Sequence, residues 1–246
     1  MDQRLLKVLL EIDEHHWWYR GRRRIVRAEL DRLALPAAAQ ILDAGCGSGR
    51  MLQELASYGQ VSGIELDDDS AALAASRELG EVRTGRLEEL PWDDGTFDLI
   101  TSLDVVEHTP DDRRALRELR RVSKPGGWLL LTVPAYQSLW SLHDVANHHF
   151  RRYNRNTLAR PAREAGWRVE RMTHFNSLPL APAAVVRLAE RRKPLEDDYK
   201  PHVAFGPQWL NSVFDLPMRA EARWIGRGRG LPAGLSLLAL LRNPGT

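Results

Sequence analysis

The amino-acid sequence predicts an α/β fold built on a parallel, doubly wound sheet, and three observations carry that expectation. Short buried-strand patterns alternate with helical ones between residues 41 and 133. The first strand runs into a glycine-rich turn that opens a helix, and an acid closes the second strand about 20 residues later. Trp128 to Val133 is a near-continuous apolar run, as expected of a strand covered on both faces.

The elements follow in order. Residues 4–35 read as helical, with Leu5, Leu6, Leu9 and Ile12 on one face and Ile25, Val26, Leu30 and Leu33 on another. Gly21, in the intervening HHWWYRGRRR, is the expected break. Ile41-Leu42 begins the first strand, and Leu52 and Leu55 mark the helix after the glycines. Val61 to Glu65 is the second strand; Asp67 to Ser70 is suited to cap a helix through Ala71, Leu73 and Ala74. A short strand near Val82 and a buried one from Phe97 to Ser102 follow. Asp111 to Val122 is a helix that must end before Pro125-Gly126-Gly127.

After Pro134 the pattern changes. Residues 135–153 are rich in His, Trp, Tyr and Arg, Thr157 to Ala165 reads as a helix and Trp167 to Phe175 as a strand. Residues 178–230 combine prolines (Pro179, Pro182, Pro194, Pro201, Pro207) with apolar helix formers, and Leu235 to Leu241 is a final strand. The expected organisation is a helical cap (1–35), a ligand-binding core (36–177), a helical lid (178–230) and a C-terminal strand returning to the core (231–246). In the lid, Leu180, Val185, Val186 and Leu188 make an apolar face, open to two readings: the lining of an acceptor cavity, or ordinary core packing.

Composition narrows the classes. A length of 246 residues suits one sizeable domain with an elaboration. No apolar run reaches the roughly 18 residues a membrane span needs, and the N-terminal apolar patch is interrupted by acids with no small-residue cleavage site after it. Cys46 is the single cysteine, which excludes an intrachain disulfide, so a cytoplasmic protein is expected. The formal net charge of +2 gives no field to hold nucleic acid. Only four of the 35 basic residues are lysine, so arginine clusters reflect general usage before they reflect binding.

The segment ILDAGCGSGR carries the strongest signal. Gly45, Gly47 and Gly49 allow positive φ and let a ligand lie against bare backbone, and Glu65 stands where a carboxylate can accept from both hydroxyls of a ribose. A nicotinamide-dependent dehydrogenase is the natural rival, but its fingerprint needs a sixth-position glycine where this chain has Arg50. Asp43, just before the turn, would repel a pyrophosphate and suits a ligand bearing sulfonium and ammonium groups. A tight turn that binds nothing is the remaining alternative.

Here the chain resembles the class I S-adenosylmethionine-dependent methyltransferases, in the small-molecule (type 11-like) bacterial branch. Asp43-Ala44-Gly45-Cys46-Gly47-Ser48-Gly49 looks like the family's first motif, and Glu65 matches its ribose acid. LEELPWDDGTFDLI, SLDVVEH and LRRVSKPGGWLLLTVP resemble the segments that follow, in order and spacing, over residues 40–134. The resemblance implies a Rossmann-like, seven-stranded mixed sheet with helices on both faces and an α-helical lid. It also implies S-adenosylmethionine as cofactor, no metal, and a small-molecule acceptor methylated at O, N or C; a homodimer is left open. A non-catalytic cofactor-binding or partner-binding module on the same fold is the alternative.

The implied cofactor contacts are Trp18, Tyr19, Arg22, Asp43, Gly45, Cys46, Gly47, Glu65, Leu66, Leu87, Leu103 and His108. The chain departs from the family at Gly85-Arg86-Leu87, where relatives often carry an acid against the adenine amine; Glu88, backbone or water are left for that contact. HWWYRGRRR, WSLHDVANHHFRRYN and LPAGLSLLALLR also resemble segments of a bacterial subgroup. Trp17, Trp18 and Tyr19 either cap the sulfonium or pack the first helix onto the sheet. Arg22 either pairs with the methionine carboxylate or is solvated. His149 or His143 is the candidate base, oriented by Asp144 or Glu107; structural packing, or a metal site on His143, Asp144, His148 and His149, are the alternatives. Arg152, Tyr153 and Trp140 are candidate acceptor contacts, and Arg151-Arg152-Tyr153 reads equally as a loop anchor.

Overall fold

A computed structural model describes residues 13–190 and 208–245. Leu5, Leu6, Leu9, Ile12, Pro194, Pro201 and Pro207 lie outside the described residues. The described residues divide into two compact units, one drawn from residues 13–32, 134–154, 173–190 and 208–237, the other from residues 33–133, 155–172 and 238–245. Residues 134–154, which the sequence reading sets inside the core segment, group with the first unit.

Strands β1 (Ala39–Ala44), β2 (Gly59–Glu65), β3 (Gly80–Thr84), β4 (Phe97–Leu103), β5 (Ser123–Pro134), β6 (Arg168–Phe175) and β7 (Ser236–Arg242) form one seven-stranded sheet, in the order β3-β2-β1-β4-β5-β7-β6. The first five pair in parallel, with Ile41 beside Val61 and Leu99. β7 runs against β5: Gly126 N donates to Asn243 O, and Ala135 N to Leu235 O. The sheet is therefore mixed. The order reverses direction at β1, where the glycine turn leaves the carboxyl end of the strand, the place an open parallel sheet reserves for its ligand.

In the second unit the helices are α2 (Arg50–Leu55), α3 (Asp68–Ala75), α4 (Asp112–Val122) and α6 (Arg155–Glu164). Asp67 caps α3 by accepting from Ser70 N, and Asp111 caps α4 by accepting from Arg114 N. On α4 the buried positions Ala115, Leu116, Leu119 and Val122 fall on one stripe, and α4 ends as the Pro-Gly-Gly segment enters β5. Trp167 closes this layer, its indole N–H donating to Leu116 O at 2.9 Å.

The first unit holds α1 (Trp17–Leu30), α5 (Leu142–Ala146), α7 (Leu180–Glu190) and α8 (Gln208–Gly226). Gly21 does not break α1; it is a buried helical residue, and the helix starts at its cap, His16. The physical reason is close approach: a Cβ on Gly21 would stand 2.4 Å from Cε of Met218 on α8. Ile25 and Val26 are buried on α1, while Trp17 stacks on Phe214 with centroids 5.0 Å apart. Asp215 on α8 is buried between Arg24, Arg20 and Arg219. Burial pushes its carboxyl up, but the hydrogen bonds from Arg24 and Arg219 outweigh that and hold it below the usual range.

Of the apolar face expected on the lid, Val185 is 70% exposed, Val186 and Leu188 are exposed with it, and Leu180 is half-buried. The half-buried side of α7 carries Leu180, Ala183, Ala184 and Arg187, the last with a side chain 16% exposed.

Candidate functional site

The glycine turn is built almost entirely from backbone. Gly45 N and Cys46 N both donate to Ile64 O of β2, at 2.8 and 3.0 Å, so the turn is sewn to the neighbouring strand. Gly45 has φ +87 and its missing Cβ would meet Val105 at 2.3 Å, so conformation and packing both require glycine there. Gly47, at φ +52, has nothing within 4 Å of where a Cβ would lie. Its bareness faces open space, as expected of a backbone that a ligand approaches.

Glu65 completes the cradle. Its Oε2 accepts from Gly47 N and its Oε1 from Leu66 N, both at 2.8 Å. Oε1 also accepts from Asp67 N at 3.4 Å; these bonds fix the carboxylate plane, and Oε2, with one donor, retains lone-pair capacity for a ribose hydroxyl. Asp43 is buried at the end of β1, where Thr101 donates its hydroxyl to Oδ1 at 2.6 Å. Cys46 is buried, and burial, followed by the charges of Asp43 and Glu65, pushes its thiol far above the ordinary range. Leu87 and Leu103 are buried, and Leu66 is exposed beside Glu65. Leu87 sits in the tight turn closed by the Arg86–Glu89 bridge. Glu107 is buried in a short 3-10 turn, Val106–His108, and His108 is exposed.

The other predicted residues belong to the first unit. On α1 the Arg22 guanidinium lies 4.7 Å over the Trp18 ring and 5.3 Å from that of Tyr19, and the two rings meet edge to face. Trp17 packs on Phe214 of α8.

The histidine loop turns on one carboxylate. Asp144 on α5 is fully buried. Its Oδ1 meets His149 Nδ1 at 2.9 Å and accepts from Arg152 Nε at 2.7 Å; its Oδ2 accepts from Ser141 N at 2.9 Å. The ring of His143 stands edge-on to His149, centroids 6.4 Å apart. Arg152 is buried and also donates from Nη1 to Ala135 O at 3.1 Å. Tyr153 is buried, its backbone tied to Pro134 and Tyr136, and Trp140 is half-buried.

Three contributors to this cluster are not legible in sequence. Gln137 accepts the Arg152 backbone N–H at 2.9 Å. Tyr136 takes φ +61, strained for a bulky residue, and stacks on His174 at 5.3 Å. Arg187 reaches Asp144 Oδ2 at 3.8 Å from α7. Position after the fifth strand is the only sequence signal for the first two, and Arg187 offers none.

A methyltransferase domain family matches residues 42–131. The chain is 29% identical over 171 residues to a ubiquinone biosynthesis O-methyltransferase of Thiobacillus denitrificans, covering 61% of this chain and 74% of the relative. It is 29% identical over 204 residues to the protein of that name from Chromobacterium violaceum, covering 70% and 88%. An S-adenosylmethionine-dependent methyltransferase structure from Mesorhizobium loti shares the fold, with a TM-score of 0.59 at 16% identity over 89% of this chain and 97% of that one.

Proposed function

Because the chain belongs to the class I S-adenosylmethionine-dependent methyltransferases and takes its methyl group from that cofactor, we infer that its acceptor is a hydroxyl oxygen of a small molecule and that His149 is the general base. The observation that carries this is the Asp144–His149 pair. A buried carboxylate on Nδ1 selects the tautomer protonated there and makes Nε2 the basic nitrogen. A hydroxyl is protonated at neutral pH and must lose that proton as its oxygen takes the methyl group, and the pair gives the proton a place to go. The relatives named above are O-methyltransferases, which supports the same reading.

When bound, S-adenosylmethionine supplies an activated methyl on a sulfonium sulfur. The residues present fit it: the bare face of Gly47, the fixed carboxylate of Glu65 for the ribose, Leu66 and Leu87 for the adenine, and Asp43 as the nearby anion. His149 takes the hydroxyl proton at Nε2. Asp144 balances the imidazolium that results, and Arg152 holds Asp144 in place, acting as an anchor and not as an arm to the acceptor. Alignment and exclusion of water supply much of the remaining acceleration.

The test is methyl-tritiated cofactor with purified protein and four acceptors: catechol, 4-hydroxybenzoate, a primary alkylamine and a β-diketone. Label recovered as a methyl ether supports the reading. Label in the amine or carbon product alone overturns the hydroxyl assignment. Cofactor binding with no transfer to any acceptor class in a cell extract favours a non-catalytic module.

A further inference from the structure

We propose that Arg187 is a positioning residue for methyl transfer, tying helix α7 to the proton-accepting imidazole through the shared carboxylate of Asp144. The inference rests on the assignment of His149 as base. It begins with a charge on the half-buried side of α7. Arg187 stands there with Leu180, Ala183 and Ala184, its side chain 16% exposed. A charge withdrawn from water needs opposite charge nearby, and the carboxylate of Asp144 lies 3.8 Å from Nη1.

The two oxygens of Asp144 do different work. Oδ1 faces His149 Nδ1 and Arg152 Nε. Oδ2 faces Ser141 N and Arg187 Nη1. The carboxylate aims Oδ1 at the imidazole while its plane is held, by the hydrogen bond from Ser141 N and by the charge of Arg187 beyond hydrogen-bond reach on the same oxygen. Removing Arg187 leaves Ser141 N–H alone on that oxygen and a fully buried anion short of one counter-charge. The carboxyl then turns to recruit the remaining cations, and the Nδ1 bond that orients His149 loosens. The same bridge makes the base sensitive to α7: displacement of this helix by an acceptor reaches His149 through one side chain.

The experiment compares wild type with Arg187→Ala, Arg187→Lys, His149→Ala and the His149→Ala/Arg187→Ala double variant. A Val185→Ser variant on the exposed face of α7 is the control. Single-turnover transfer to the hydroxyl acceptor and calorimetric cofactor affinity are read on each. Arg187→Ala should lower the rate by about 10-fold to 10²-fold, below the roughly 10²–10⁴-fold loss expected for removing the base, with cofactor affinity unchanged. Arg187→Lys should recover part of the rate. The double variant should be no slower than His149→Ala, because a residue acting through the base has nothing left to position. Wild-type rates in Arg187→Ala, or losses that multiply in the double variant, would overturn the proposal.

A second readout separates this proposal from the acceptor assignment. The His149 Nδ1 proton, bonded to a buried carboxylate, should give a slowly exchanging downfield resonance that disappears in Arg187→Ala and persists in Val185→Ser. If wild type methylates no hydroxyl, that assignment fails and this resonance decides alone: its persistence in Arg187→Ala overturns the positioning role.

Discussion

The glycine turn and the histidine loop hold their polar groups still with opposite materials. In the turn, main-chain N–H groups and one carboxylate do the holding: Gly45 and Cys46 donate to Ile64 O, and Gly47 to Glu65. In the loop, main-chain strain at Tyr136 and His148 is accepted, and the order comes from side chains gathered on Asp144. A backbone site tolerates side-chain change and is broken by any Cβ in the wrong place. A side-chain hub tolerates small backbone changes and is broken by deleting one charge. The lesson is that sequence spacing reveals the first kind, whereas the second depends on partners that only tertiary packing supplies.

The sharpest way to break the comparison is within the turn. Gly45→Val meets both a positive φ and a Cβ 2.3 Å from Val105, costing about 1–3 kcal/mol for the backbone and about 1–3 more for overpacking. Loss of a cooperative thermal transition is expected. Gly47→Ala has only the backbone strain, since no atom lies within 4 Å of its Cβ. It should melt within a few degrees of wild type and yet bind S-adenosylmethionine at least about tenfold more weakly, a loss of about 1.4 kcal/mol. Equal cofactor affinity in Gly47→Ala would mean the bare face is not where the ligand lies.

The helical pair α1 and α8 offers an intermediate case, a backbone contact and a charge hub side by side. Gly21→Val drives a branched side chain into Met218 and should destabilise by about 1–3 kcal/mol; denaturant titration measures it. An unchanged midpoint would show that α8 moves aside at no cost.

The smallest effect is expected at Asp215. Its folded-state carboxyl lies below the usual range, held there by Arg24 and Arg219 against the effect of burial. A depressed carboxyl contributes stability that is fully present above the ordinary carboxylate value of about 4 and is lost as pH falls through the folded value. Asp215→Asn should therefore lower stability by about 1–2 kcal/mol at neutral pH, discounted because Arg24 and Arg219 are partly exposed. The difference from wild type should close as pH drops below about 4. A gap that stays constant with pH would assign the loss to packing.

The strands, the caps at Asp67 and Asp111 and the glycine turn were legible because each is specified within a few neighbouring residues. So was the Asp144–His149 pairing, as one of the candidates in a crowded loop. Gly21 misled because a glycine among polar residues signals a break, and its true partner, Met218, is distant in sequence. On α7 periodicity tells which residues share a face but not how far each is buried: Val185, Val186 and Leu188 are exposed and Leu180 is half-buried. Arg152 reads equally as a binding arm or an anchor in sequence, and its contacts to Asp144 and Ala135 O are tertiary ones that spacing does not show.

The division of labour itself is tested most directly by one variant measured twice. His149→Ala should slow single-turnover methyl transfer to a hydroxyl acceptor by at least about 10²-fold, while calorimetry with S-adenosylmethionine gives the wild-type dissociation constant. His148→Ala, whose neighbouring ring is exposed, should match wild type in both. An undiminished rate in His149→Ala, or a rate and a cofactor affinity that fall together, would contradict the account.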